Sequence, residues 1–165
     1  MAKLPLVCDT TLLLYLNRID QVDLLSALFA QVCVPESVML ELDMGRLDRG
    51  DTIDPRKLAW IAPVSVSQAA IGDLPPNRLG TGERAVIAYA HIHPGHIVGL
   101  DDLQARQLAE RLNLPVVGTL GVLLQAKRAN LISAVRPLLD AVVTQGFRLA
   151  SDLYRDVLRL ADEAS

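Results

Sequence analysis

Five short apolar runs, each separated from the next by stretches with helical spacing, constrain this chain most. They are Leu4–Cys8, Val32–Val34, Trp60–Val66, Ile97–Leu100 and Val116–Val117. Strands this short and nearly all apolar are covered on both faces, and strands that alternate with helices lie parallel. The expected fold is therefore α/β: a parallel sheet of about four to five strands with helices on both faces. Right-handed crossovers then bring the strand C-terminal ends to one edge, where ligand sites of such sheets lie.

The segments between these runs carry the helix signals. Thr10 and Thr11 can cap a helix containing Leu12, Leu13, Leu14 and Leu16, and Asp20 a second one with Val22, Leu24, Leu25, Leu28 and Phe29. Pro35 suits the first turn of a third helix, with Val38, Met39, Leu40 and Leu42. Gly45–Pro55 and Gly72–Gly82 read as loops. Further helices are expected from Thr81 or Gly82 to Ala90, from Asp101-Asp102 to Leu112, and from Gly118-Thr119 to Ala129. Pro137–Gln145 continues the helical pattern up to a stop at Gly146, and Ser151 opens a last amphipathic helix. At 165 residues, the chain reads as a single domain over 1–165, with 146–165 as a C-terminal extension of it.

Composition excludes several classes. Sixteen basic against nineteen acidic residues, a net charge of −3, rules out binding by bulk positive charge. Cys8 and Cys33 sit in apolar runs and fit buried thiols in a reducing compartment. No apolar run reaches about 18 residues, so no membrane span is expected. The start of the chain shows no cleavable signal pattern, and the expected location is cytoplasmic.

Among the acidic residues, five stand at positions that matter. Asp9 follows the first strand, and Asp101 and Asp102 follow the Ile97–Leu100 strand, so all three are expected at the same sheet edge. Glu83 falls in the first turn of a helix, and Glu41 is set among leucines on a helix. Carboxylates brought together repel and raise one another's pKa. A hard divalent cation such as Mg²⁺ resolves that repulsion and can stabilise charge on a phosphoryl group. Singly, each acid has a plain structural reading: Asp9 and the Asp101-Asp102 pair as caps, Glu83 as a favourable first-turn charge, Glu41 as a partly exposed side chain. In the doublet, Asp101 is expected to point into the crevice and Asp102 to cap the next helix. Arg106 and Lys127 are candidates for contacting phosphate. His91, His93 and His96 lie on a helix-to-strand connection, away from that edge, and Cys33 shows no histidine partner in the sequence. A receiver-like phospho-acceptor domain also gathers aspartates at strand ends, and Thr119 and Lys127 faintly suggest one. It wants an isolated acceptor on a central strand, whereas the doublet follows a later one.

Several segments together carry a family resemblance. They are V-C-D-T-T-L-L-L-Y-L at Val7–Leu16, C-V-P-E-S-V-M-L-E-L at Cys33–Leu42, L-G-T-G-E-R-A-V-I-A-Y-A at Leu79–Ala90, L-D-D-L-Q-A-R at Leu100–Arg106, V-G-T-L-G-V-L-L-Q-A-K at Val117–Lys127, and G-F-R-L-A-S-D-L-Y at Gly146–Tyr154. Over nearly its whole length the chain resembles the PIN-domain nucleases, in particular a PIN-like bacterial and archaeal subgroup related to VapC-type toxins. The resemblance implies a ribonuclease dependent on Mg²⁺ or Mn²⁺. Asp9, Glu41, Glu83 and Asp101 or Asp102 match the family's four acidic residues, and Thr10 matches its following Ser/Thr. It assigns Asp9, Glu41, Glu83 and Asp101 to catalysis, and Asp9, Glu83, Asp101 and Asp102 to the metal. Thr10, Arg106, Thr119 and Lys127 are then expected on the substrate side. It also implies an RNA substrate, a small antitoxin protein and a homodimer. The leucine-rich Leu12–Leu16 and Leu24–Phe29 segments suggest apolar surface left over for a partner. After Leu100 the common toxin motif T-x-N or T-x-D is replaced by L-D-D-L-Q-A-R. The rival within the family is a catalytically inactive module that acts through protein contacts.

Overall fold

The computed structural model describes residues 2–164. Five strands, β1 (Leu6–Cys8), β2 (Val32–Pro35), β3 (Ile61–Val64), β4 (Ile97–Gly99) and β5 (Val116–Val117), form one sheet in the order β3-β2-β1-β4-β5. Every pairing is parallel, with Val7 opposite Cys33 and Val98, and Cys8 opposite Gly99. The α/β parallel sheet read from the sequence is the observed one. The direction of strand addition reverses between β1 and β4, so the crevice expected at such a switch point opens beyond Cys8 and Gly99. The sheet closes tightly there. A Cβ on residue 99 would lie 2.7 Å from Leu12 Cδ2 and 2.8 Å from Cys8 Cβ, so only glycine lets the first helix settle onto the sheet.

The helices are α1 (Thr10–Arg18), α2 (Leu24–Leu28), α3 (Glu36–Asp48), α4 (Gln68–Gly72), α5 (Thr81–Ile92), α6 (Leu103–Arg111), α7 (Thr119–Arg128), α8 (Arg136–Thr144) and α9 (Ser151–Leu160). α5 crosses β1, β2 and β4 and packs against α3, α4 and α6, while α7 packs against α1, α2, α8 and α9. One connected apolar core runs from Leu6 to Ala161. Among the described residues, no helix is long and apolar enough to cross a membrane.

Local details differ from the sequence reading for identifiable reasons. Of the caps the sequence offered for α1, Asp9 and not Thr10 or Thr11 is used, its Oδ1 accepting the Leu12 N–H at 3.1 Å. Asp20 takes a left-handed turn (φ 58°) after α1 instead of capping α2. α3 continues through Gly45 to Asp48, because Arg46 donates to Ile53 O and pairs with Asp43, tying the following loop to the helix. Ser67 caps the short α4, where only loop was expected nearby. The stop expected at Gly146 is observed, with φ 100° after α8. The expected surplus of apolar surface is not where the leucines cluster. Leu12, Leu13, Leu16, Leu24, Leu25 and Phe29 are all buried. The exposed apolar side chains include Leu40 (63%), Met44 (64%) and Leu47 (79%), at positions i, i+4 and i+7 of α3.

Candidate active site

At the C-terminal edge of the sheet lies a cavity of about 240 Å³ lined by Asp9, Thr10, Thr11, Glu41, Gly80, Glu83 and Asp102. Four stretches of backbone supply it: the β1–α1 junction, the exposed flank of α3, the start of α5 and the start of α6. No Lys or Arg lines it.

Each carboxylate is held by a local device. Asp9 is 3% exposed. Its Oδ1 is spent on the α1 cap, and among the described residues its Oδ2 accepts no hydrogen bond. Burial raises its pKa well above the ordinary carboxylate range. The Leu12 N–H acts the other way, and Asp101, Glu83 and Glu41 add repulsion. Glu41 belongs to an exposed residue, contrary to the buried setting its leucine neighbours suggest. Its head group is nonetheless fixed: Thr10 Oγ1 donates to Oε2 at 2.6 Å, and the Gly82 N–H donates to Oε1 at 2.9 Å. Glu83 accepts the Gly80 N–H at 3.2 Å, closing the first turn of α5. Its pKa is raised by burial against the pull of that N–H, with repulsion from Asp102 and Glu41 added.

The doublet divides only partly as expected: Asp102 caps α6, but Asp102 and not Asp101 lines the cavity. β4 ends at Gly99 and Leu100 is buried, one residue earlier than the sequence reading put the strand end. Asp102 therefore lines the cavity, and it also caps α6, its Oδ2 accepting the Ala105 N–H at 2.9 Å. Asp101 turns to the start of α7, where both the N–H and the hydroxyl of Thr119 donate to it at 2.7 Å. Burial raises the Asp101 pKa, opposed by Thr119 and the nearby Arg106. Asp101 remains close enough to Asp9 to repel it, but it lines a different groove, between α6, α7 and α9.

The expected substrate contacts also separate. Thr10 lines the cavity. Thr119 is fully buried, its hydroxyl spent on Asp101. Lys127 stands in the last turn of α7 and binds Ala161 O at 2.6 Å and Glu163 at 2.9 Å, so it secures the C-terminal segment instead of facing substrate. With Thr119 and Lys127 so engaged, the features that faintly suggested a receiver are accounted for structurally. Arg106 reaches Leu100 O and lines the groove with Asp101. His96 Nε2 lies 3.9 Å from Cys33 Sγ, a pairing invisible in the sequence because 63 positions separate them.

Glycines are the site residues that motif reading missed. A Cβ on residue 82 would lie 2.7 Å from Glu41 Oε1, and one on residue 118 would lie 2.7 Å from both Asp101 Oδ1 and Arg106 Nη1. G-T-G-E held the signal: a glycine one residue before a candidate acid leaves room for a second carboxylate to reach the backbone.

The donor set fits a hard divalent cation: oxygen atoms only, mutually repelling carboxylates, an Asp9 Oδ2 that accepts no hydrogen bond among the described residues, and no lysine or arginine in the lining. Among the described residues, no three His, Cys, Asp or Glu side chains form a ready-made metal cage.

No curated protein matches the chain. Among solved structures, the PIN domain endonuclease Utp24 is similar at 14% identity, over 69% of this chain and 84% of that one, with a TM-score of 0.49. The family model described as PIN domain matches residues 5–163, which takes in every strand and all the carboxylates of the cavity, and the chain therefore belongs to the PIN-domain family.

Proposed function

We propose that this protein is a metal-dependent endoribonuclease that hydrolyses phosphodiesters in single-stranded or loop RNA. The carrying observation is the convergence of Asp9, Glu41, Glu83 and Asp102 on one cavity without a lysine or arginine. Membership of the PIN-domain family supports nuclease chemistry in general. When bound, Mg²⁺ or Mn²⁺ would offset the carboxylate repulsion and stabilise charge on the phosphoryl group.

The chain's own residues divide the remaining work. Asp9, Glu83 and Asp102 would hold the ion, and Glu41, fixed by Thr10 and Gly82, would complete the acidic wall. In-line attack on phosphorus breaks the P–O3′ bond and leaves a 5′-phosphate and a 3′-hydroxyl. Unpaired RNA suits the site because a splayed strand can reach a recessed cavity.

The same reading takes residues 1–165 as one domain with 146–165 as its extension, supported by the connected core. It includes a toxin role with a small antitoxin, a homodimer and a cytoplasmic location. The exposed Leu40, Met44 and Leu47 flank, on the helix that carries Glu41, supports a protein partner. The test is incubation of purified protein, freed of any bound partner, with end-labelled RNA in Mn²⁺ and in EDTA. Cleavage only with the metal is expected. Intact RNA in both would leave the inactive-module reading.

A further inference from the structure

A larger cavity, of about 730 Å³, adjoins the acidic one and has no part in the chemistry above. Pro76, Asn77, Arg78, Leu79, Gln104, Gln107, Leu108, Glu110 and Arg111 line it. The walls of the two cavities follow one another along the chain. Leu79 lines the large one and its neighbour Gly80 the acidic one; Gln104 lines the large one, and Asp102, two residues earlier, the acidic one.

The wall is built in advance. Asn77 Nδ2 donates to Pro75 O at 2.9 Å and its Oδ1 accepts the Leu79 N–H at 3.1 Å, so the amide is consumed in shaping the Pro75–Leu79 turn. Facing it, Gln104, Gln107 and Arg111 fall at i, i+3 and i+7 of α6, on one side of the helix. Among the described residues, the side chains of Gln104, Gln107, Arg78 and Arg111 make no hydrogen bond, and neither arginine has a carboxylate within 4 Å. The cavity thus combines an apolar floor (Pro76, Leu79, Leu108), two amides each offering a donor and an acceptor, two guanidinium groups and one carboxylate.

That combination matches one unpaired nucleotide. A base is a flat apolar body with donors and acceptors on its edge, the surface that glutamine amides read. Guanidinium groups take the flanking phosphate. Glu110 repels a phosphate and accepts only from a donor, so the base lies inside and the phosphate at the arginines. Glu110 also favours a base with an exocyclic amine over uracil, which has none.

Resting on the nuclease reading, we propose that this cavity is a base-reading subsite for the substrate nucleotide next to the cut, preferring cytosine, adenine or guanine to uracil. It would make the enzyme selective at one position although its overall charge is negative.

The experiment pairs two readouts. Cut positions in a randomised single-stranded RNA are mapped with Mn²⁺, and binding of labelled oligo(C), oligo(A), oligo(U) and their deoxy counterparts is measured by anisotropy in EDTA. The proteins compared are the wild type, Gln104→Ala/Gln107→Ala carrying Glu110→Ala as well (the glutamine variant), and Arg78→Ala/Arg111→Ala. The wild type is expected to discriminate against uracil at one position by roughly 5- to 100-fold, the equivalent of one specific base contact. The glutamine variant should lose that preference while still cutting. The arginine variant should weaken binding to every oligonucleotide alike, with a shallower salt dependence. A wild type that cuts with a preference unchanged in both variants overturns the subsite and leaves the nuclease standing. A wild type that binds with the same preference, lost in the glutamine variant, yet never cuts supports the subsite and overturns the nuclease. Equal ribose and deoxyribose binding supports a subsite that reads the base alone; loss of all discrimination in the wild type overturns it.

Discussion

The main-chain N–H of Gly82 donates to Glu41 Oε1 at 2.9 Å, and a Cβ on residue 82 would sit 2.7 Å from that same oxygen. The hydrogen bond and the missing side chain are two halves of one device, which brings a carboxylate from α3 onto the first turn of α5. Gly82→Ala should therefore push the Glu41 head group out of place while leaving the rest of α5 helical. Metal-dependent cleavage should fall by roughly 10- to 100-fold, the range for residues that orient a metal site from behind. Alanine's better helix propensity partly offsets the crowding, so thermal unfolding should move by only a few degrees. Wild-type cleavage in this variant would show that Glu41 does not need that position.

The two aspartates of the doublet should separate by phenotype. Asp102→Asn keeps an oxygen for the α6 cap, so it should lose cleavage with little change in stability. Asp102→Ala should lose cleavage and also about 1 kcal/mol of stability. Asp101→Asn strands a hydrogen-bonding group at the start of α7, where Thr119 offers two donors, and should cost about 1–3 kcal/mol by denaturant titration. Full cleavage by Asp102→Asn would contradict this division.

Divalent cations should stabilise the folded protein. If Mn²⁺ binds only the native state, its addition at 100 times Kd raises stability by about 2.7 kcal/mol. Glu83→Gln should abolish most of the resulting rise in melting temperature, and so should Asp9→Asn. A rise of equal size in the wild type and both variants would place the ion elsewhere.

Acid should loosen the C-terminal segment first. Burial alone would raise the Glu163 pKa, but the N–H groups of Val135 and Arg136 and the Lys127 ammonium outweigh it and hold the value at about 2, against an ordinary 4.5. A carboxyl with a lowered native pKa contributes stability above its unfolded value and loses it as pH falls through the native one. Stability should therefore decline between about pH 4.5 and 2, and hydrogen exchange at the α8 N-terminus should rise in that window. Glu163→Gln should lose that acid dependence, having no charge to neutralise. An unchanged pH profile in this variant would refute the assignment.

Much of this molecule was legible because short apolar strands can do little else. The parallel sheet and the edge holding Asp9 and the doublet follow from periodicity and crossover handedness. What stayed hidden depended on single-residue register or on distant contacts. The end of β4 at Gly99 instead of Leu100 puts Asp102, still the α6 cap, into the cavity and turns Asp101 toward Thr119. Lys127 resembled a phosphate ligand because its partner, Glu163, lies 36 positions away. Glu41 looked buried because its neighbours are leucines, yet Leu40 and Met44 turn outward and only Leu42 of that group is fully enclosed. The clasp on Glu41 required knowing that α3 and α5 meet, which no local pattern reveals.

The strand order carries a consequence for the order of events at birth. β1 occupies the centre of the sheet, and its neighbour on one side, β4, is synthesised some ninety residues later. Asp102 reaches the cavity only once β4 has docked beside β1, a long-range parallel pairing of the kind that forms slowly. A nascent chain emerging from the ribosome therefore presents scattered acids on an open half-sheet. The cavity is assembled only after β4 and the start of α6 have emerged, so most of the chain is synthesised before its carboxylates share one site.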